Sequence, residues 1–81
     1  MESQELLTTV MATLKSIAPE MDENALVADL PLRDQVDLDS MDWLNFLIGL
    51  HQRLKVDIPE SDYATLRTLQ DLLEYLRTKL A

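Results

Sequence analysis

The chain has 81 residues, which allows one domain with a modest core but no deep, self-contained active-site cavity. Its apolar content of 47%, with one glycine and three prolines, is typical of a folded helical domain, and the absence of cysteine excludes disulfides and thiolate chemistry. The net charge of −8 opposes binding to nucleic acid or to anionic membranes.

Metal-binding, secreted and membrane-spanning classes are also disfavoured. His51 is the only histidine, so a histidine metal cluster cannot form. The sequence opens without a basic-then-apolar leader, and its longest uncharged stretch, residues 43–52, is too short to cross a bilayer. We therefore expect a single domain over residues 1–81, located in the cytoplasm, with no membrane span and no metal.

The first predicted element is a helix over residues 3–17. Apolar residues recur there at helical spacing, and Pro19 ends the run. These residues are Leu6, Leu7, Val10, Met11, Leu14 and Ile17.

Residues 18–39 show no sustained period, and so long a connection in a small domain is usually functional. One short helical turn is expected near Asn24–Ala28. Residues 1–39 contain nine acidic residues and only two basic ones, Lys15 and Arg33. This excess of negative charge attracts basic protein surfaces or simply aids solubility. Five apolar side chains could pin the loop to the helices: Leu26, Leu30, Leu32, Val36 and Leu38.

A second helix is predicted over residues 40–54, with Asp39 or Ser40 as its N-cap. Asp42 follows Asp39 at the offset of a capping pair, and its charge favours the first turn. Pro59 then breaks the chain.

Two shorter elements complete the prediction. Residues 61–66 are long enough for one short helix, and Thr68, with Asp71 at the capping-box offset, starts the last helix. The fold class is therefore all-α, a four-helix bundle with a long first loop and a short third helix. The buried face of the last helix is predicted to contain Leu69, Leu72, Leu73, Leu76 and Leu80.

The second helix carries two apolar faces. One arc, about 100° wide, suits an ordinary core stripe. A separate flank of Met41, Leu44 and Ile48 could pack beneath the long loop or stay exposed as a partner surface. Trp43 either fills the core or lines the mouth of a cavity near Ser40. The residues of the core arc are Trp43, Phe46, Leu47, Leu50 and Leu54.

Ser40 stands where the acidic loop becomes a helix. A hydroxyl at such a boundary is exposed, and the amide donors of the first turn favour an attached anion. A phosphate-linked arm on this serine would make the protein a carrier and not an enzyme.

The residues around Ser40 resemble a known site. Residues 32–42, Leu-Arg-Asp-Gln-Val-Asp-Leu-Asp-Ser-Met-Asp, look like the prosthetic-group site of acyl carrier proteins, in which an Asp-Ser-Leu core opens the second helix. Residues 54–60, Leu-Lys-Val-Asp-Ile-Pro-Glu, resemble the family's turn before a short third helix, and residues 68–76 resemble its last helix. The resemblance spans residues 26–77 in order and spacing.

This resemblance implies that Ser40 is the attachment point of 4′-phosphopantetheine, added from coenzyme A by a phosphopantetheinyl transferase. Acyl cargo would then be carried as a thioester on the thiol of the arm, which explains why the chain needs no cysteine. The resemblance also implies contacts with the transferase and with acyl-transferring and acyl-modifying enzymes that present basic docking surfaces. The implied contact residues are Asp39, Met41, Asp42, Leu44 and Ile48.

Three departures from the family pattern concern the second helix. Fatty-acid carriers of this family usually bear glutamates where this chain has Asn45 and residues 51–53, His-Gln-Arg. Met41 replaces the usual leucine, and Trp43 is larger than its family counterpart. These departures favour a specialised pathway, such as polyketide or lipid synthesis, over housekeeping fatty-acid synthesis. The carrier is expected to be monomeric.

Other functions stay open at this point. The cargo could be aminoacyl or peptidyl instead of acyl, or the protein could be an unmodified helical interaction module with Ser40 as a simple N-cap. A hydrolase is opposed by geometry, because His51 lies eleven residues further along the same predicted helix, about 16 Å from Ser40. No catalytic residue is therefore expected.

Overall fold

The computed structural model describes residues 3–80, and helices account for most of this range. The all-α fold is confirmed: the predicted second helix is present over Ser40–Leu54, and a 3₁₀ helix occupies the place of the short third one. The α-helices are α1 (Ser3–Ile17), α2 (Leu32–Gln35), α3 (Ser40–Leu54) and α4 (Leu69–Leu80), and the 3₁₀ segments are Glu23–Ala25 and Glu60–Thr65. No helix within residues 3–80 is long and apolar enough to cross a membrane.

The core forms where α1 packs against α3 and α4. All five residues of the predicted core arc of α3 are buried, because their spacing keeps them on the face turned toward α1. On α1, Ile17 is partly buried and Leu7 is exposed, since Leu6, Val10 and Leu14 at four-residue spacing set the buried stripe and Leu7 lies beside it. On α4, Leu69, Leu72 and Leu76 are buried as predicted, while Leu73 and Leu80 are only partly buried.

One polar side chain is buried in this core. Thr13 is almost fully enclosed, and its hydroxyl donates to the Thr9 carbonyl at 2.7 Å and accepts from Arg53 Nη1 at 3.2 Å. Both bonds offset the cost of removing the hydroxyl from water. The Arg53 contact also ties the last turn of α3 to the middle of α1.

The first loop is more ordered than the sequence indicated. The expected turn near Asn24–Ala28 is a 3₁₀ turn capped by Asp22, whose carboxylate accepts from the Asn24 amide at 3.0 Å. A further helix, α2, was not predicted. Leu32, Val36 and Leu38 are buried as anchors, but Leu30 is 49% exposed, so its predicted anchoring role is wrong.

The side chain of Gln35 holds the loop in shape. Its Oε1 accepts from the Val27 amide at 2.6 Å, while its Nε2 donates to the carbonyls of Val27 and Leu30, each at 2.9 Å. These bonds supply partners for loop backbone groups that no helix or sheet pairs. The loop before Ser40 is therefore held in a defined conformation by side-chain hydrogen bonds.

Hydrogen bonds join the segment that starts α4 to this loop. Thr68 Oγ1 accepts from the Asp71 amide at 3.0 Å and the Asp71 carboxylate accepts from the Thr68 amide at 3.3 Å, which confirms the predicted capping box of α4. Leu32 donates its amide to the Arg67 carbonyl at 2.9 Å, beside an isolated antiparallel bridge between Pro31 and Thr68. The loop before Ser40 is thus bonded to the segment that enters α4.

Candidate functional site

Ser40 is the first residue of α3 and is exposed. Asp39 is the N-cap: its backbone is extended, and its Oδ1 accepts from the Asp42 amide at 2.8 Å. The Asp39 carbonyl accepts the first intrahelical bond, from the Trp43 amide at 3.0 Å. Asp39, and not Ser40, therefore caps the helix, and this frees the serine hydroxyl for other chemistry.

The surroundings of Ser40 fit a phosphate-linked group. The hydroxyl lies at the positive end of a helix of 15 residues, and the Asp39 side chain occupies the Asp42 amide, not the amides of Ser40 and Met41. The neighbouring carboxylates of Asp37, Asp39 and Asp42 would repel such a group, so its phosphate needs a tether. A covalent bond to the Ser40 hydroxyl would supply that tether.

The flank predicted beside Ser40 faces outward in part. Met41 is 63% exposed and Ile48 is 41% exposed, while Leu44 between them is half-buried. The loop does not cover Met41 and Ile48, so these side chains are accessible to another molecule. Their contact with a partner stays a prediction.

Trp43 fills both roles that the sequence left open. Its ring lies 5.3 Å from the Phe46 ring, centre to centre, at an angle of 43°, and only 9% of the residue is exposed. Its remaining surface lines a cleft next to α3. Trp43 is therefore a core residue whose edge forms part of a cavity wall.

Two clefts flank the segment that leads to Ser40, and Leu38 lines both. The first, about 510 Å³, is the acidic cleft: Glu20, Asp22, Asp37 and Asp42 line it around an apolar floor. The second, about 450 Å³, is the arginine cleft, and its lining includes Arg33, Asp34, Trp43, Tyr63, Leu66 and Arg67. Both volumes fall within the usual range for small-ligand sites.

The geometry opposes hydrolytic chemistry at Ser40. His51 lies at the far end of α3, where its Nδ1 hydrogen-bonds to the Val56 carbonyl. A helix keeps these two residues apart, so the imidazole cannot take the serine proton. Within residues 3–80 there is also no group of three potential metal ligands among His, Cys, Asp and Glu.

Comparison with known proteins places the site in context. A family model described as a phosphopantetheine attachment site matches residues 5–76. The acyl carrier protein of Thermosynechococcus vestitus is 26% identical over 80 residues, which cover 99% of this chain and 94% of that protein. The acyl carrier protein of Kineococcus radiotolerans is 24% identical over 76 residues, covering 94% of each chain.

A solved structure has the same fold. It is a solution structure provisionally described as an acyl carrier protein from Anaplasma phagocytophilum, with a TM-score of 0.85. The match covers 100% of this chain and 94% of that one, at 24% identity.

Proposed function

This chain belongs to the family of acyl carrier proteins with a phosphopantetheine attachment site, whose members are carriers and not enzymes, and we propose that Ser40 holds the arm. The observation that carries this proposal is the position of Ser40: an exposed hydroxyl on the first residue of α3, within the matched residues. The whole chain, residues 1–81, then serves as one carrier domain.

Loading of the arm is a simple substitution at phosphorus. The Ser40 Oγ–phosphorus bond forms, the bond between the two phosphates of coenzyme A breaks, and adenosine bisphosphate leaves. The hydroxyl proton passes to a base of the transferase. The bound arm supplies a thiol that carries the cargo as a thioester. The protein contributes the tether, which raises the effective concentration of cargo at partner enzymes.

In this proposal the residues around Ser40 form the surface that partner enzymes recognise. Asp39 and Asp42 present charge to basic residues of the transferase and of later enzymes, and this charge speeds encounter. The exposed side chains of Met41 and Ile48, with Leu44, supply the apolar contact next to that charge. A monomer leaves this surface free for successive partners.

The pathway is proposed to be specialised, with acyl cargo of the polyketide, lipid or a related class. The exposed residues Asn45, Gln52 and Arg53 stand where glutamates would give the usual fatty-acid carriers their acidic helix. Each absent charge pair removes roughly 0.5 kcal/mol from docking at an exposed surface. An aminoacyl or peptidyl carrier is the alternative. Cytoplasmic location belongs to the same proposal, because coenzyme A and the partner enzymes must be at hand.

The pathway proposal can be tested by restoring charge. The holo carrier and its Asn45→Glu/Gln52→Glu variant are offered to a housekeeping acyltransferase of fatty-acid synthesis, with Asn24→Glu in the first loop as the control. We expect kcat/KM to rise about fivefold in the double variant, as two surface charge pairs imply, and to stay unchanged in the control. High activity with the unaltered chain would contradict the specialised pathway.

A further inference from the structure

The arginine cleft is lined by two cationic residues, Arg33 and Arg67, and by Trp43, which lies one helical turn after the proposed attachment point. Arg33 follows Leu32, whose amide donates to the carbonyl of Arg67, so the two arginines come from backbone segments that are hydrogen-bonded to each other. Arg33 Nε also donates to the carbonyl of Leu38, two residues before Ser40, at 3.4 Å. The geometry of the loop thus fixes a cationic site in an otherwise acidic protein.

These arginines have unused capacity to bind an anion. Among the residues that the structure describes there is one ion pair, between Lys15 and Glu23. Within that range, neither Arg33 nor Arg67 is therefore paired with a carboxylate. Asp34 also lines the cleft, and the balance is two guanidinium groups against one carboxylate. The chain has seven basic residues, and two of them face this single cleft. A guanidinium group recognises a carboxylate through two parallel hydrogen bonds.

The other walls of the arginine cleft are apolar or aromatic. Trp43 lies one helical turn after Ser40, and Tyr63 and Leu66 come from the 3₁₀ helix and the residue that ends it. We propose that the arginine cleft receives an acyl chain that ends in a carboxylate, with its hydrocarbon part against Trp43 and its carboxylate at Arg33 and Arg67. The inference rests on the carrier function and names its class of cargo.

The phosphodiester of the arm is a weaker candidate for the same site. It is bonded directly to Ser40, beside Asp39 and Asp42, and it has no hydrocarbon part to place against Trp43 and Leu66. The acidic cleft offers a contrast on the other side of Leu38, because its four carboxylates would repel a carboxylated cargo. The charges of the two clefts therefore direct an anionic cargo to one side of the segment.

The test compares two cargoes that differ only at the far end. The full chain is loaded with glutaryl- or pentanoyl-pantetheine from the corresponding coenzyme A thioester, and mass spectrometry verifies each product. We expect glutaryl cargo to raise the melting temperature about 2–4 °C more than pentanoyl cargo. We expect the difference to disappear in about 0.5 M salt and in the Arg33→Gln/Arg67→Gln variant. Arg77→Gln, an exposed residue near the end of α4, is the matched control and should keep it.

A second readout covers the case in which the double variant folds poorly. The indole N–H resonance of Trp43 in the unaltered chain should shift more with glutaryl than with pentanoyl cargo. Equal melting temperatures and equal resonances, or a glutaryl effect that survives in the double variant, would overturn the assignment. An arginine-dependent gain in melting temperature that is already complete in the holo form, before cargo is loaded, would also overturn the assignment, because the phosphodiester would then occupy the site. Failure to load would appear first in the mass spectrum and would contradict the carrier function itself.

Discussion

A methyl group built on Gly49 would come within 2.8 Å of the Thr13 Cγ2 atom, so α1 and α3 pack too closely here for a larger residue. Thr13 cannot easily move aside, because its hydroxyl is bonded to Thr9 and Arg53. Gly49 is the single glycine of the chain and lies in the middle of a helix, where glycine is unfavourable. Helix packing accounts for its presence.

Replacing Gly49 with alanine should therefore destabilise the protein. Alanine gains about 1 kcal/mol of helix propensity, but overpacking against Thr13 costs about 1–3 kcal/mol. We expect a net loss of about 1 kcal/mol in the free energy of unfolding, measured by urea denaturation.

Thr13→Ser provides the matched background, since it removes Cγ2 and keeps the hydroxyl. In that background Gly49→Ala should become neutral or stabilising by up to about 1 kcal/mol. Equal destabilisation in both backgrounds would show that the close approach is not the cause.

Gln35→Ala should loosen the loop before Ser40. The substitution removes the bonds to the amide of Val27 and to the carbonyls of Val27 and Leu30, which we expect to cost about 1–2 kcal/mol. Hydrogen exchange at the Val27 amide should accelerate. Gln70→Ala, which removes only a 3.5 Å contact with Glu74, is the control and should change stability by less than about 0.5 kcal/mol. Unchanged exchange at Val27 would contradict the role of Gln35.

The hydroxyl of Tyr75 makes stability depend on alkaline pH. Partial burial and the 2.6 Å hydrogen bond to Asp62 raise the pKa of Tyr75 from 10.0 to about 12. The folded state therefore favours the neutral phenol: its contribution is complete below pH 10 and is lost as the pH rises from 10 toward 12.

Tyr75→Phe tests this dependence. At pH 7 the variant should be about 1 kcal/mol less stable, because Asp62 loses its donor. The difference from the unaltered chain should shrink between pH 10 and 12, as followed by urea denaturation. Tyr63→Phe is the control, and a constant difference across this range would rule out the proposed titration.

Ile48→Glu should impair docking while leaving the fold intact. With 41% of Ile48 exposed, the substitution should change stability by less than about 0.5 kcal/mol. Loading by a phosphopantetheinyl transferase should fall about tenfold, the effect of losing about 1.4 kcal/mol of contact.

Val27→Glu, at an equally exposed apolar residue of the first loop, is the control for added charge. Equal losses of loading in both variants would show that the added charge, and not the loss of the apolar flank, causes the effect. A large fall in the melting temperature of Ile48→Glu would show that Ile48 belongs to the core.

The long elements could be predicted from sequence because their signals are local. α1 and α3 have the predicted bounds, since apolar spacing marks both helices, Pro19 follows the end of α1 and Asp39 caps the start of α3. The helix α2 and the role of Gln35 could not be predicted, because they depend on bonds between residues that are distant in the chain. The same holds for the clefts: Arg33 and Arg67 line one cleft because their backbone segments are joined by the bond from the Leu32 amide to the Arg67 carbonyl.

The central claim is that Ser40 holds the arm, and intact mass after loading tests it most directly. The full chain is incubated with coenzyme A, Mg²⁺ and a broad-specificity phosphopantetheinyl transferase, alongside Ser40→Ala and the control Ser16→Ala, which changes a serine of α1. We predict one added phosphopantetheine on the unaltered chain and on Ser16→Ala, and none on Ser40→Ala. Addition to Ser40→Ala, or no addition to the unaltered chain with several transferases, would contradict the account.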